Sequence, residues 1–477
     1  MSAIIKTQFR LHNAAQFVEG LGEAAPSNIY AFQGLPMPWS SETLPPLPVE
    51  SVQDELNLRQ GIMTMKKLTS ADVYRAIKHN IWTAGRYYNA YRCDYGESGV
   101  TAKDMLTGVD FNPTNLFDTS FYVVSNDRVF MCLHEGTSAS SVDPDSVENY
   151  TGSAFKLSDG YVWKFITAPS QTLLTKKTID FFPIDNTAST AITYSTSKMG
   201  GVYVIRNNSG SSGWGVSTTY TAAVQYGQLG VRGDGSGFEC DIISNSTGGI
   251  QSITVTNPGS GYTWMELYQK TAGTTTGLVP MLTPVNGLGT NPINDLLATT
   301  VICAASFEYR GGDNENGKWP ALNPFRSIGL IRDVCTYGSN SNVYTSADEN
   351  VQTTYIFRVT NATGLTAGNM LTNTASGNYI VLDVWYGVQA DPDVSYDLIY
   401  AVKLQERNTG VYANDVAAAE PTTGSYTLYG TSTVYDVIGV DNPDVNTASG
   451  EILYIEHRRP TNRGQDQKED VIFAIEF

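Results

Sequence analysis

Charged side chains are scarce in this sequence, and most of them are acidic. Only 16% of the 477 residues are charged, and the formal net charge is -17 at pH 7. Soluble domains usually carry roughly 25% charged residues. Proteins that bind nucleic acid need Lys and Arg to neutralise phosphate groups, so the sequence predicts no binding of nucleic acid.

Long apolar runs are lacking as well. No stretch approaches the roughly 20 apolar residues of a membrane span, and the N-terminus has no apolar segment long enough for a signal peptide. We therefore expect no membrane insertion, and we expect the chain to fold in a reducing cytoplasm.

Cysteine is rare and widely spaced. The five cysteines are odd in number, and no Cys-x-x-Cys pair occurs. This spacing predicts neither a disulfide framework nor a zinc site. The residues are Cys93, Cys132, Cys240, Cys303 and Cys335.

The polar surface is supplied instead by Gly, Ser, Thr, Asn and Tyr, which favour strands and turns over exposed helices. The chain is also longer than one hydrophobic core usually supports. We predict a mainly β protein: a β-sandwich-like main domain with a few N-terminal helices and two inserted small β-domains.

Helix signals are confined to the first hundred residues. Phe9, Phe17 and Leu21 lie near one helical face and predict a helix over residues 7–21. Ser70 predicts the N-cap of a second helix that ends near His79.

Residues 36–48, which we call the arm, lie between these two segments. Five prolines exclude regular structure there, while Trp39, Leu44 and Leu47 argue against a disordered linker. Two interpretations stay open: the arm docks on a partner protein, or it packs on its own domain.

From about residue 119 the apolar residues alternate with polar ones, as they do in strands, and no longer follow helical spacing. Residues 120–135 predict a hairpin with its turn at Ser125, Asn126 and Asp127, and residues 161–168 predict a strand with Tyr161 and Trp163 on one side. Further strands are predicted in residues 253–256, 353–360, 378–388 and 398–406.

Changes in composition predict the domain organisation. A Gly/Ser-rich β-module spans residues 200–275, and a second inserted β-domain spans residues 340–446. The remaining segments, 1–199, 276–339 and 447–477, are similar in composition and in the alternation of apolar residues. They are predicted to form a discontinuous main domain.

The last 28 residues, 450–477, predict a strand over residues 452–456, a basic corner of Arg458 and Arg459 closed by Pro460, and a final alternating strand. We expect that final strand to pack against the first half of the chain. The basic corner is open to two interpretations, an interface element or a solvated turn.

No catalytic, cofactor or metal site is predicted. None of the four histidines stands in metal-ligand spacing. Residues 233–237 (GDGSG) lack the Lys of a phosphate loop and predict a tight turn, and residues 313–317 lack the spacing of a calcium loop. The histidines are His12, His79, His134 and His457.

Paired carboxylates leave one enzymatic alternative, because a glycosidase needs two acids that face one sugar bond. The pairs are Asp143/Asp145, Asp234/Glu239 and Asp391/Asp393. Their neighbouring prolines and glycines are typical of acidic turns, and the sequence does not show whether any pair faces a cleft. A polysaccharide depolymerase or a carbohydrate-binding protein is therefore the alternative function.

Several separated stretches resemble segments of one protein family, and they occur in the same order as in that family. They are TQFRLHNAAQF, PMPWSSETLPPLPVESV, DGYVWKF, NPFRSIGLIRDV and GEILYIEHRRP. Together they are similar to the baseplate wedge subunit of T4-type contractile-tailed phages, the gene-eight product family. The resemblance covers about half of the chain, and the modules at 200–275 and 340–446 depart from it, as in an enlarged cyanophage-like form.

The resemblance implies a structural virion protein of the viral tail baseplate, assembled in the host cytoplasm as a late protein. It implies a mostly β fold, a homodimer within each wedge, contacts with other wedge subunits and no enzymatic activity. The expected function is to support baseplate assembly and its change of shape on infection through protein-protein contacts.

Overall fold

The computed structural model describes most of the chain. Its description leaves out residues 1–4, 148–153, 186–199, 208–211, 271–273, 276, 284–287, 290, 309–323, 346–349, 392–393, 405–419 and 463–467. The segment 313–317, considered above as a calcium loop, lies outside the described residues.

The protein is mainly β, as predicted. Strands make up 45% and helices 9% of the structure. The chain divides into two compact units: unit 1 comprises Met1–Ala15, Tyr74–Ile302 and Ala474–Phe477, and unit 2 comprises Gln16–Val73 and Cys303–Phe473.

The described α-helices are few, and most are short. They are α1 Thr7–Glu19, α2 Val52–Gln60, α3 Gln171–Leu174 and α4 Pro292–Asp295. The helix predicted over residues 7–21 is confirmed as α1.

Strands from the first half of the chain up to residue 184 are β1 Ile29–Gly34, β2 Ile62–Lys67, β3 Val73–Lys78, β4 Ala102–Lys103, β5 Asp110–Phe111, β6 Tyr122–Ser125, β7 Arg128–His134, β8 Phe155–Lys156, β9 Val162–Thr167 and β10 Phe181–Ile184. Strands from residue 202 to 308 are β11 Val202–Asn207, β12 Thr219–Tyr220, β13 Leu229–Gly233, β14 Ser236–Ser244, β15 Ile250–Ser260, β16 Met265–Gln269, β17 Thr274–Thr275, β18 Leu278–Leu282 and β19 Thr300–Glu308.

The remaining strands are β20 Phe325–Arg332, β21 Cys335–Thr336, β22 Asn350–Val351, β23 Tyr355–Val359, β24 Met370–Asn373, β25 Gly377–Asp391, β26 Val394–Leu404, β27 Gly424–Leu428, β28 Val434–Asp441, β29 Val445–Asn446, β30 Glu451–Thr461 and β31 Lys468–Glu476.

Unit 1 contains the predicted hairpin. Strands β6 and β7 pair antiparallel, and β9 and β8 extend them into a four-stranded sheet. Asn126 and Asp127 have φ angles of 46° and 61°, which suit a two-residue hairpin turn and are tolerated best by Gly, Asn and Asp. Tyr161 and Trp163 are buried in one core cluster, as predicted.

Residues 202–282 of unit 1 have a core of their own. Trp214, Phe238, Tyr262 and Leu267 belong to one buried cluster there. The antiparallel pair β14–β15 covers the strand predicted at residues 253–256. Residues 233–237 join β13 to β14 by a tight turn, as predicted.

Unit 2 is organised around a five-stranded sheet with the order β22-β2-β1-β20-β30. Tyr30, Phe32, Met65 and Ile331 form part of its core. Gly329 lies in the interior strand β20, opposite Phe32 on β1 and Ile455 on β30. This sheet carries the first and last thirds of the chain side by side.

Unit 2 also contains a closed six-stranded barrel with the order β23-β26-β25-β24-β27-β28. Tyr355, Phe357, Tyr379 and Tyr426 pack in its core. The strands predicted at 353–360, 378–388 and 398–406 correspond to β23, β25 and β26.

Two local predictions are wrong. The helix predicted after Ser70 is strand β3, and the second helix is α2, whose N-cap Ser51 accepts a hydrogen bond from the Asp54 backbone nitrogen. All of Val73–Ile77 is buried, so the strand shows no polar alternation. The predicted corner at Pro460 lies inside the continuous strand β30, where an edge position tolerates proline.

The expected packing of the final strand against the first half of the chain is confirmed. Gln33 on β1 donates a 3.3 Å hydrogen bond from Nε2 to Oε2 of Glu469 on β31. Phe473, also on β31, packs edge-on against Tyr454 at 5.7 Å.

Candidate functional site

The arm is the first part of an excursion, residues 35–61, that also contains α2 and joins two neighbouring strands of the unit 2 sheet, β1 and β2. It leaves β1 at Leu35, whose backbone nitrogen donates a 2.9 Å bond to the Gly61 carbonyl at the start of β2. A Cβ on Gly34 would lie 2.8 Å from that same carbonyl oxygen, so the two ends of the excursion are closely apposed. The base of the arm is therefore fixed by backbone contacts.

Trp39 is the aromatic anchor of the arm. Its indole Nε1 donates a 2.9 Å hydrogen bond to the backbone carbonyl of Arg458 on β30. Its ring lies 4.8 Å from the His457 imidazole. Because β30 is the last strand of its sheet, its outer carbonyls are available to a partner segment, and the arm takes one of them.

Arg326 on β20 is the ionic anchor. Its Nε lies 3.0 Å from Oε2 of Glu42, and its Nη1 donates a 2.7 Å bond to the Pro36 carbonyl. Residue Arg326 is only 6% exposed. One guanidinium thus holds two points of the arm, which matches the fork-like donor geometry of arginine.

Further bonds fasten the arm and α2 along β30. The Arg459 Nε donates a 3.0 Å bond to the Thr43 carbonyl, and His457 Nδ1 lies 3.2 Å from the Pro46 carbonyl. From α2, Arg59 Nη2 donates a 2.8 Å bond to the Gly450 carbonyl. Burial lowers the pKa of Arg59. The interpretation that the arm packs on its own domain is confirmed by these contacts.

The basic corner predicted at Arg458 and Arg459 has a structural role in this site. Arg458 pairs with Glu456 at 2.8 Å, and Arg459 binds the arm. Burial and the neighbouring Glu456 carboxylate raise the pKa of Tyr454 on the same strand.

Three aliphatic side chains in and beside the arm are exposed to solvent. Leu44 and Leu47 are 77% and 85% exposed, and the flanking Val49 is 59% exposed. Single exposed leucines are ordinary on protein surfaces, whereas three exposed aliphatic residues within residues 44–49 of an ordered segment are candidates for an interaction site. We call Leu44, Leu47 and Val49 the outer apolar set.

The four histidines lie apart in the fold and have local contacts. His12 is in α1, and His79 follows β3, with Nδ1 2.9 Å from the Thr178 carbonyl. His134 ends β7, where burial lowers its pKa. Among the described residues, no group of three His, Cys, Asp or Glu side chains is placed to hold a metal ion.

The candidate acid pairs are bound within turns. Asp143 caps a short turn and accepts a 2.9 Å bond from the Asp145 nitrogen. Asp234 accepts a 2.8 Å bond from the Thr263 nitrogen. These carboxylates hold backbone in place.

Glu239 has the same kind of contacts, since it accepts bonds of 2.7 and 2.8 Å from the nitrogens of Val224 and Gln225. In the last pair, Asp393 and the side chain of Asp391 lie outside the described residues.

Sequence reasoning missed the Arg326–Glu42 contact. The two residues are 284 positions apart, and no spacing rule links them. The available signal was the presence of both residues in segments that carry the family resemblance.

No protein-family model matches this chain, and no curated protein matches it. In the part of the chain that is described, no helix is long and apolar enough to span a membrane.

Proposed function

We propose that this chain is a structural subunit of a phage tail baseplate wedge, acting through protein-protein contacts in assembly and in the shape change on infection. The observation that supports this proposal most is that segments far apart in the sequence contact one another in the fold. Three segments that resemble the wedge family, residues 36–52, 323–334 and 450–460, meet at the arm through Trp39, Arg326 and Arg458. Inheritance of all three segments from one wedge-family ancestor would explain why they contact one another.

The arm is the contact element in this proposal. Its inner side is bound by Arg326 and β30, so little conformational entropy remains to be lost when a partner binds. Its outer apolar set would supply the binding energy, since burying one leucine side chain is worth about 1.5–3 kcal/mol.

The proposed partners are the other baseplate wedge subunits and a second copy of this chain within each wedge. The proposed location is the tail baseplate of the virion. The formal net charge of -17 disfavours contact with nucleic acid and anionic lipid surfaces, which is in keeping with partners that are proteins.

Native mass spectrometry of the full chain, alone and coexpressed with the other wedge subunits of the same phage, tests the proposal. A homodimer that joins those subunits in a stoichiometric complex is the expected result. A strictly monomeric protein that ignores every wedge subunit would refute it.

A paired set of variants tests the role of the arm. The double change Leu44→Ser and Leu47→Ser should weaken partner binding at least tenfold, because the apolar area to be buried is lost. Ile179→Ser is a matched control, since Ile179 is 90% exposed in unit 1. Equal binding by both variants, or undiminished binding after deletion of residues 36–48 from a folded protein, would contradict the proposed contact.

The alternative enzyme function has its own readout. A depolymerase would release oligosaccharides from host surface polysaccharide, and Asp234→Asn would abolish that release. We expect no such release from the intact protein, and its detection would favour the alternative.

A further inference from the structure

An open cleft of about 410 Å³ lies within unit 1, away from the arm. It is lined by residues of α1, β3 and α4 and by Asp185, and its polar lining residues are Gln8, His12, Arg75, Asp185, Asn291 and Asn294. This volume lies within the range of roughly 300–1,000 Å³ that is usual for small-molecule sites.

Arg75 is the unusual group in this cleft, because it is only 3% exposed. Its Nε donates a 2.7 Å hydrogen bond to the Ala298 carbonyl, and Nη2 donates to the same oxygen. A guanidinium has further N–H groups beyond these two. Among the described residues, no carboxylate pairs with Arg75.

Other buried arginines of unit 1 have an acidic partner. Arg92 forms a fork with Asp94 at 2.8 and 2.7 Å, and Arg206 pairs with Glu135. Burial without a compensating charge lowers the pKa of Arg75 to about 10. A buried cation that lacks an anion is costly, and a buried group of this kind in a cleft is a candidate for a functional site.

Asp185, on the cleft wall, is already bound. Its Oδ2 accepts a 2.9 Å bond from the Ser170 nitrogen, and its Oδ1 lies 3.3 Å from the Ser170 hydroxyl. This carboxylate therefore has its own donors. The exposed amides of Gln8 and Asn294 add neutral donors at the rim.

We propose that this cleft binds a small organic anion whose carboxylate or phosphate group pairs with Arg75. The planar fork of arginine matches both groups in bidentate geometry. The amides of Gln8 and Asn294 contact the remainder of the molecule. This site is independent of the arm and of the proposed baseplate function.

Isothermal titration calorimetry of the full chain tests the site with two probes, inorganic phosphate and acetate, at constant ionic strength. Saturable binding of at least one probe is expected, and the comparison of the two identifies the anionic group. Arg75→Gln should weaken binding at least tenfold. Arg232→Gln also removes one positive charge, at an exposed pair with Glu266, and should bind like the unchanged protein.

Absence of saturable binding for both probes overturns the proposal, and so does equal affinity for Arg75→Gln and Arg232→Gln. If Arg75→Gln does not fold, Arg75→Lys takes its place, because it keeps the buried positive charge and removes the bidentate fork. A severalfold loss of affinity for both probes in Arg75→Lys supports the site, and unchanged affinity overturns it.

Discussion

Trp39 donates a 2.9 Å hydrogen bond to the carbonyl of Arg458, a residue 419 positions further along the chain. Together with the bonds from His457 and Arg459, this contact joins the proline-rich arm to the edge of the unit 2 sheet. Because the acceptor is a backbone carbonyl of β30, the contact depends on the path of that strand and not on the Arg458 side chain. The arm is thereby an ordered part of unit 2.

Replacing Trp39 by Ala should loosen the arm. The change removes one hydrogen bond and the packing on His457, so we expect the free energy of unfolding to fall by about 1–2 kcal/mol. Limited proteolysis should cut faster within residues 36–48. Leu44→Ala is the control, because Leu44 is 77% exposed and should change stability by less than about 0.5 kcal/mol. Equal cleavage rates in both variants would contradict this role of Trp39.

Glu42→Gln should destabilise unit 2 by about 2–3 kcal/mol, because it leaves the buried Arg326 without its counter-charge. Urea unfolding of the full chain gives the measurement.

The matched change is Glu266→Gln, which breaks the pair with Arg232. There the side chains are 56% and 40% exposed, and exposed pairs contribute about 0–1 kcal/mol. A cost for Glu42→Gln no larger than that for Glu266→Gln would show that Arg326 does not depend on the arm.

Asp295 should make stability depend on pH. Burial raises the pKa of Asp295 to about 7, although its Oδ2 accepts a 2.6 Å bond from the Gly289 nitrogen. An unfolded Asp titrates near pH 3.9. The folded state therefore holds the proton more tightly, and this stability is fully present below about pH 4 and is lost as the pH rises toward 7.

Asp295→Asn removes that titration. We expect the variant to match the unchanged protein near pH 4 and to be more stable by about 2 kcal/mol or more at pH 8, as measured by urea unfolding at both pH values. Asp234 gives the opposite sign: hydrogen bonds from Thr263 lower its pKa, so its contribution is lost as the pH falls. An Asp295→Asn profile parallel to that of the unchanged protein would rule out this effect.

Gly329→Ala should disrupt the unit 2 sheet at its interior strand β20. A Cβ at this position would lie 2.3 Å from the Phe32 ring and 2.4 Å from the Tyr454 carbonyl oxygen. Overpacking of this kind costs about 1–3 kcal/mol, and we expect a lower midpoint of thermal unfolding. Phe32→Leu in the same chain should recover part of the loss, whereas no recovery would point to the Tyr454 backbone as the obstacle.

Both wrong predictions used local sequence rules at positions where the surrounding sheet decides the structure. Sequence periodicity reports which faces of an element meet water, but Val73–Ile77 in β3 are buried on both faces. The apolar residues of β3 therefore show neither strand nor helix periodicity, and the possible N-cap at Ser70 led to the prediction of a helix. Pro460 similarly predicts a corner by local rules, and only the position of β30 at the edge of its sheet makes it compatible with a strand.

The sequence by itself determined the features that depend on neighbouring residues. The mainly β composition, the hairpin turn at Asn126 and Asp127, and the irregular path of the arm follow from local backbone preferences. The tertiary structure decided where the arm lies, because its anchors at Arg326 and Arg458 are 284 and 419 positions from their partners. It also decided that Arg75 is buried without an acid, since burial depends on the whole unit and not on the local sequence.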